Sequence, residues 1–191
     1  MVDVQRQRAY DVTWRFISLA VLNEQQTADW YTPEYWRGHV AGLECLRVAD
    51  AVRLAEGNDA VGRLYTAFGT GIHVERQREA LHGDTAAFVA ASLDRAGIDR
   101  RYAEHHLDDT HDAHIRAETA LALERTGKDV GTPIITFRPG ADNENSLFGP
   151  VISKAPSGDE AVKLWDAIEL IATSPGFAEL KRSLRSAPIF E

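Results

Sequence analysis

The pattern of apolar and polar positions begins with a short apolar stretch, which a long helical block follows. Residues 11–21, DVTWRFISLAV, alternate at first and then become continuously apolar. This pattern predicts a strand buried on both faces, ended by Asn23. A polar loop at 25–33 comes next. Pro33 then suits the first turn of a long helix, with Thr32 as its cap.

The block from about 32 to 126 has the periodicity of several helices. Asp59 is predicted to cap a second helix at 60–74, and Asp84 a third helix that Gly97 ends. Residues 99–126 predict one or two more helices, the last ending at Gly127. A parallel crossover needs only about a dozen residues, so this block is predicted to be an inserted subdomain. The first helix carries two apolar stripes, Trp36–Val40–Leu43 and Cys45–Ala49–Val52.

A β-hairpin is predicted beyond this block. Gly131-Thr132-Pro133 precedes a β-branched and aromatic run at 134–138, and a proline without an N–H group fits the start of a strand. The turn at 139–143 and the apolar run at 146–151 complete the hairpin. Ser157 and Glu160 have the spacing of a capping box, which opens an amphipathic helix. A last short helix is predicted at about 176–184.

Charge and cysteine content narrow the class of protein. The net charge is −8 and the arginines are scattered, which argues against a nucleic-acid partner. No run reaches the length of a membrane span, and the first residues lack the apolar stretch of a signal peptide. The single cysteine, Cys45, excludes an internal disulfide and fits a reducing compartment. We therefore expect an acidic cytoplasmic protein with no nucleic-acid or membrane partner.

Five blocks of sequence, taken in order, carry a resemblance to a known family. A Gly-Thr-Pro ahead of a strand, then a hairpin and an amphipathic helix, is similar to the C-terminal half of a thioredoxin-like fold. The helical insertion is typical of its DsbA-like branch. The five blocks are SLAVLNE at 18–24, DVGTP at 129–133, FGPVISK at 148–154, KLWDA at 163–167 and FAELKR at 177–182. Through these blocks the chain more specifically resembles the actinobacterial mycothiol-dependent nitroreductases, DsbA-like oxidoreductases of the cytoplasm.

The resemblance implies an α/β fold of thioredoxin-like, DsbA type. Residues 1–31 and 127–191 would form an incomplete thioredoxin-like domain, and residues 32–126 its large α-helical insertion. Residues 1–6 correspond to the end of the family's active-site helix. The first strand, the Cys-x-x-Cys motif and most of that helix are therefore expected to be missing, a segment of roughly 25 residues.

The strand that is expected to be missing is central, because in this fold it lies between residues 11–21 and 134–138. Without it, backbone groups at two strand edges lack partners. Three explanations stay open. Met1 is an internal methionine of a longer protein, or a strand from another chain completes the sheet, as a homodimer would allow. In the third, the remaining strands close up on each other or the N-terminal region is poorly ordered.

Thr132 and Pro133 are the main candidate binding residues. In the resembling fold this proline is cis, its loop faces the cysteine-bearing helix, and the backbone before it pairs with an extended thiol or peptide. The alternative is a proline kept only for the geometry of the strand. Asn23 is expected to point into the crevice at the carboxyl ends of the strands, or simply to form a turn. Tyr35 and Trp36 could form an aromatic wall for a flat acceptor, but Trp36 also lies on the apolar stripe of its helix, which favours core packing for that residue.

No residue of the chain is assigned a catalytic role. Cys45 lies on an apolar helical stripe, so a buried structural thiol is predicted, whereas the family's thiolate belongs at a helix N-terminus. His73 could serve the cleft or simply interact with a helix dipole. The run at 105–114 holds four histidines and three aspartates but no His-Glu-x-x-His pattern and no nearby cysteine. We predict a solvated polar face there, and no metal site.

By resemblance, the leading function is the transfer of electrons from a low-molecular-weight thiol, mycothiol, to a disulfide or a small nitro or electrophilic acceptor. No tightly bound cofactor is implied. Because the cysteine motif is absent, the chain as written is expected to be inactive. The alternatives are a non-redox ligand-binding protein, a dimeric thioredoxin-like protein, and a DsbA-like thiol-assisted isomerase.

Overall fold

A computed structural model describes residues 1–128, 131–183 and 186–190. Helices dominate these residues, and one small sheet accompanies them. Contacts divide the chain into two compact units, Met1–Val12 with Ala122–Glu191 and Thr13–Leu121. The sequence predicted a thioredoxin-like domain at 1–31 and 127–191 with an insertion at 32–126, and this assignment stays a prediction.

The helices are α1 Val2–Gln7, α2 Leu19–Leu22, α3 Pro33–Glu56, α4 Asn58–Gly69, α5 Arg78–Gly83, α6 Thr85–Ala96, α7 Asp112–Thr126 and α8 Gly158–Ala172, with a π-helix at Thr70–Val74 and 3-10 helices at Arg100–Leu107 and Asp109–His111.

The unit at Thr13–Leu121 is helical and has its own apolar core. The predicted helix ends are confirmed at three places. Thr32 caps α3 with Pro33 in the first turn, Asp84 Oδ1 accepts a hydrogen bond from the Ala87 amide, and Gly97 ends α6 with φ of 67°. Asp59 is not a cap, because α4 already begins at Asn58. The fully buried core side chains come from α3, α4, α6 and α7, and they include Val48, Val52, Leu64, Val89, Leu93 and Ile115.

The predicted strand at 11–21 is wrong. Residues 11–18 belong to no strand, and residues 19–22 form the short helix α2, capped by Ser18. Every second amide of this segment donates its hydrogen bond to a side chain. Acceptors are Asn58 Oδ1 for the Trp14 amide at 2.8 Å, Glu118 Oε2 for Phe16 at 2.7 Å and Thr119 Oγ1 for Ser18 at 3.1 Å. The amides that a neighbouring strand would have bonded are therefore bonded by side chains of the helices α4 and α7.

The unit at Met1–Val12 and Ala122–Glu191 contains the predicted hairpin. Strands β1 (Ile134–Phe137) and β2 (Asn145–Phe148) pair antiparallel, with Ile134 opposite Phe148. Within residues 1–128, 131–183 and 186–190, this sheet has two strands. Its apolar side packs with α1 and α8 around a core that contains Val4, Phe137, Ala161, Trp165 and Ala172.

Helix α8 starts where the sequence predicted, but with a different cap. Ser157 occupies the N-cap position without a side-chain hydrogen bond. Instead, Asp3 Oδ2 accepts a hydrogen bond of 2.8 Å from the Gly158 amide. The predicted helix at about 176–184 is wrong for residues 177–183, which are not helical, and its last residue lies outside the described part of the chain.

No helix among the described residues is both long enough and apolar enough to cross a membrane.

Candidate functional site

The Thr132–Pro133 loop leads directly into β1. Both residues are exposed, and the peptide bond between them is cis. The Pro133 carbonyl accepts a hydrogen bond of 2.8 Å from the Gly149 amide, which fixes the loop to the far end of β2. The Gly149–Pro150 bond at the same end of the hairpin is also cis. The block DVGTP is described only from Gly131 onward, because Asp129 and Val130 lie outside the described residues.

Asn23 belongs to the other unit, and it ends α2 rather than a strand. Its Nδ2 donates a hydrogen bond of 2.9 Å to the Leu19 carbonyl four residues earlier. This contact closes the short helix, as the turn-forming alternative described. A role for Asn23 in ligand binding stays a prediction.

Tyr35 and Trp36 lie in the first turn of α3, and their side chains are exposed. Trp36 is 44% exposed and Tyr35 55%, so core packing of Trp36 is wrong. Tyr35 belongs instead to an aromatic cluster whose ring centroids lie 5.3 to 6.5 Å apart. The Tyr31 hydroxyl and His39 Nδ1 in this cluster are 2.7 Å apart. Its members are Trp30, Tyr31, Tyr35 and His39.

Trp36 lines a groove between α3 and the junction of α5 with α6. The groove has a volume of about 180 Å³. Its lining combines the indole of Trp36 and the Val40 side chain with charged and polar groups from Arg37, Glu44, His82 and Thr85. The two walls lie close at Gly38, where a Cβ atom would come 3.1 Å from His82 Nε2. A tryptophan and an arginine in this lining suit a flat, electron-poor ligand with negatively polarised oxygens, while Glu44 gives the same groove a carboxylate.

Cys45 is buried, as predicted. Its side chain lies in the core of the helical unit, and burial raises its pKa to about 12. At neutral pH the sulfur is therefore a protonated thiol rather than a nucleophilic thiolate.

A buried polar network lies beneath the histidine run. Asp50, only 1% exposed, receives hydrogen bonds from His111 Nδ1 at 2.8 Å, His114 Nδ1 at 2.7 Å and Arg53 at 2.9 Å. Burial alone would raise the pKa of Asp50, but these three hydrogen bonds outweigh it, so its pKa lies below the ordinary value. Glu118, also buried, accepts two further bonds from Arg53.

The predicted solvated face at 105–114 is thus wrong for His111. That residue is 9% exposed, and Asp50 holds one of its two ring nitrogens. Its other ring nitrogen faces His105 and Asp108. His73, in the π-helix after α4, is exposed.

Comparison with known proteins matches residues 1–182 to the family model described as Rv2466c-like, mycothiol-dependent nitroreductase Rv2466c. The chain belongs to this family. It is also 26% identical over 189 residues to an uncharacterized protein of Mycobacterium tuberculosis, Rv2286c. That alignment covers 98% of this chain and 75% of the relative.

The Rv2466c-like family is named for a reduction that depends on mycothiol, so a thiol partner and an oxidoreductase class are supported. Of the predicted binding residues, Thr132 and Pro133 lie in one compact unit, and Asn23, Tyr35 and Trp36 in the other.

Sequence reasoning overlooked Asp50, the centre of the polar network. A signal was present, since Asp50 interrupts the apolar run Val48-Ala49-Asp50-Ala51-Val52 in the middle of α3. A charged residue at such a position is rarely buried without partners. The partners come from residues 111 and 114, more than sixty positions away, and could not be read from local pattern.

Proposed function

We propose that this chain binds a low-molecular-weight thiol, mycothiol, and a small electrophilic acceptor of the nitroaromatic type, within a cytoplasmic thiol-dependent reduction. The family match over residues 1–182 is the observation that carries this proposal. The thioredoxin-like, DsbA-type fold is part of it. It is supported by the order of hairpin and α8 after the Thr132–Pro133 loop.

The acceptor is proposed to bind in the groove lined by Trp36. A nitroaromatic ring can stack on the exposed indole while the Arg37 guanidinium donates hydrogen bonds to the nitro oxygens. Tyr35 and its aromatic cluster supply further apolar surface beside the first turn of α3.

The thiol is proposed to bind along the exposed backbone of Thr132, as an extended segment that pairs with a strand edge. In the reaction that the family name implies, reduction of a nitro to a nitroso group takes two electrons. Two thiols would supply them, becoming one disulfide, and one water molecule would leave. Cys45 takes no part in this exchange, because it is buried and protonated.

Since Cys45 is the only cysteine of the sequence, this polypeptide is proposed to bind both partners without turning them over. Isothermal titration with a nitrobenzoate measures acceptor binding, and mycothiol consumption measures turnover. Trp36→Ala should weaken acceptor binding about 3- to 10-fold, the loss of one aromatic contact worth about 0.5–1.5 kcal/mol. Leu54→Ala, which removes another exposed apolar side chain of α3, is the control and should leave binding unchanged.

Acceptor binding that is equal in Trp36→Ala and wild type would refute the groove. Mycothiol-dependent reduction by the 191-residue chain would refute the proposed lack of turnover, and it would not affect the proposal that the acceptor binds in the groove. For the thiol, amide chemical shifts of Gly131 and Thr132 should move on addition of mycothiol. Unchanged shifts there would exclude that part of the proposal.

The second candidate is a non-redox binding protein, either monomeric or a homodimer, and the buried state of Cys45 favours it. It retains the acceptor groove but needs no thiol. A DsbA-like thiol-assisted isomerase is the remaining enzymatic alternative. Acceptor binding together with unchanged shifts at Gly131 and Thr132 would select the non-redox protein.

A further inference from the structure

Two histidines and one aspartate of the histidine run lie together where two 3-10 helices meet. His105 lies in the segment Arg100–Leu107, His111 ends the segment Asp109–His111, and Asp108 is the extended residue between the two segments, with φ of −80° and ψ of 98°. This junction brings two imidazoles and one carboxylate, at intervals of three residues, close to one another.

The possible ligand atoms of the three side chains all lie within 4.8 Å of one another. His105 Nδ1 lies 3.2 Å from Asp108 Oδ2 and 3.3 Å from His111 Nε2, and the last two atoms are 3.7 Å apart. Nitrogen and oxygen ligands about 2.0–2.2 Å from a tetrahedral Zn²⁺ lie about 3.4 Å from one another. The observed spacings thus match the three edges of one face of a zinc tetrahedron.

Two of the three ligands, His111 and Asp108, are oriented by a hydrogen bond on their other side. Asp50 is an acceptor toward His111 Nδ1, so this nitrogen carries the proton and the lone pair of the neutral ring is on Nε2, toward His105 and Asp108. Such a carboxylate behind a histidine ligand is a recurring feature of zinc sites. Asp108 Oδ1 accepts hydrogen bonds from the Thr110 hydroxyl at 2.6 Å and the Thr110 amide at 3.1 Å, which leaves Oδ2 for the ion.

We propose that His105 Nδ1, Asp108 Oδ2 and His111 Nε2 bind one divalent transition-metal ion, with Zn²⁺ as the best match, and that water completes the tetrahedron. Two imidazoles and one carboxylate favour Zn²⁺ over Mg²⁺ or Ca²⁺, which prefer oxygen ligands. His111 is buried, whereas the His105 and Asp108 side chains are 39% and 35% exposed. The fourth position is therefore open to solvent.

The site does not belong to the proposed thiol and acceptor binding, and it would stand if that function were refuted. It joins the 3-10 segments to α3, because its ligand His111 is bonded to Asp50. A bound cation also explains why two histidine nitrogens and a carboxylate oxygen lie in contact. Without a metal, at least one proton must be shared among these three acceptors.

Zinc binding by the tag-free chain, after treatment with a chelator, tests the proposal. Competition with a chromophoric zinc indicator should give one Zn²⁺ per chain, and Co²⁺ should show the intense visible bands of a tetrahedral site. His105→Gln and Asp108→Asn should each weaken binding at least tenfold. Asp50→Asn should weaken it about 10- to 100-fold, the usual effect of losing the group behind a histidine ligand.

His106→Gln is the matched control, because His106 is adjacent but bonds to the Ala103 carbonyl. It should bind Zn²⁺ as wild type does. Circular dichroism checks that each variant is folded, and His105 and Asp108 are exposed enough for substitution. No zinc binding by wild type would show that a shared proton alone holds the cluster, and would overturn the proposal. Equal loss in His105→Gln and His106→Gln would overturn it as well.

Discussion

Asp50 is the residue on which the polar interior of the helical unit depends. One buried carboxylate joins α3 to two histidines of the α7 region and to Arg53 on its own helix. Arg53 in turn lies 4.0 Å from the centre of the Phe16 ring, and so connects the extended segment at 13–18 to the same network. Buried charges are tolerated only with such partners, and removing one partner is costly.

Replacement of Asp50 by Asn should strongly destabilise the chain. The asparagine side chain has the same shape but lacks the negative charge to which His111, His114 and Arg53 bond. Its NH₂ group would also face donor groups of these partners. We expect the free energy of unfolding in urea to fall by about 3–5 kcal/mol. Glu56→Gln, an exposed carboxylate at the end of α3, is the control and should change it by less than about 0.5 kcal/mol. Equal stabilities of the two variants would contradict the role given to Asp50.

Helix α4 is held against the segment at 13–18 by contacts of Trp14. The Trp14 ring stacks on Tyr65 of α4 with centroids 5.4 Å apart, and the Trp14 amide donates to Asn58 at the start of the same helix. Gly62 makes this approach possible, because a Cβ atom there would lie only 2.6 Å from Trp14 Nε1.

Gly62→Ala should therefore lower stability by about 1–3 kcal/mol, the usual cost of overpacking. Gly69→Ala is the matched control on the same helix. Its φ is −59° and nothing lies within 4 Å of its would-be Cβ, so a gain of about 0.4–1 kcal/mol is expected. Thermal unfolding of both variants gives the comparison. A stabilised Gly62→Ala variant would show that Trp14 moves aside freely.

The N-terminus of α6 is stabilised by the side chain of its cap residue, Asp84. Asp84 Oδ1 accepts a hydrogen bond from the Ala87 amide at 2.9 Å. Asp84→Ala should cost about 1 kcal/mol of stability, and Asp84→Asn should retain most of it because asparagine caps equally well. Urea unfolding measures both. If the two variants lose the same amount, the charge rather than the hydrogen bond accounts for the effect.

The elements that the sequence predicted correctly depend on neighbouring residues. Thr32 with Pro33, Asp84 and Gly97 act within one helical turn, and the hairpin needs only the turn between its strands. The strand at 11–21 failed because alternation does not reveal what satisfies the amides, here side chains of Glu118 and Thr119. The network at Asp50 and the burial of His111 likewise depend on contacts between distant segments. Cys45 was predicted correctly, because its apolar stripe is local.

The chain belongs to a family named for a thiol-dependent reduction, yet its single cysteine thiol is buried. Burial raises the pKa of Cys45 from the usual 9.0 to about 12. At pH 8 this lowers the thiolate fraction roughly a thousandfold, and the thiolate is the form that attacks a disulfide. The raised pKa of Cys45 also makes the stability of the fold depend on pH. Above pH 9 the unfolded chain loses the thiol proton while the folded chain keeps it. The contribution of the neutral thiol to the free energy of unfolding therefore declines as pH rises from 9 towards 12.

Mycothiol disulfide should therefore leave the folded chain unmodified and form one mixed disulfide, at Cys45, with the unfolded chain. Intact mass measured after incubation at pH 8, with and without urea, checks both expectations, and Cys45→Ala should give no adduct in either condition. In the folded state the rate should stay low from pH 7 to pH 9, because the thiol remains protonated throughout that range. Rapid adduct formation without urea would show that Cys45 reaches solvent in the native state. Cys45 would then be a candidate for the thiol chemistry of the family.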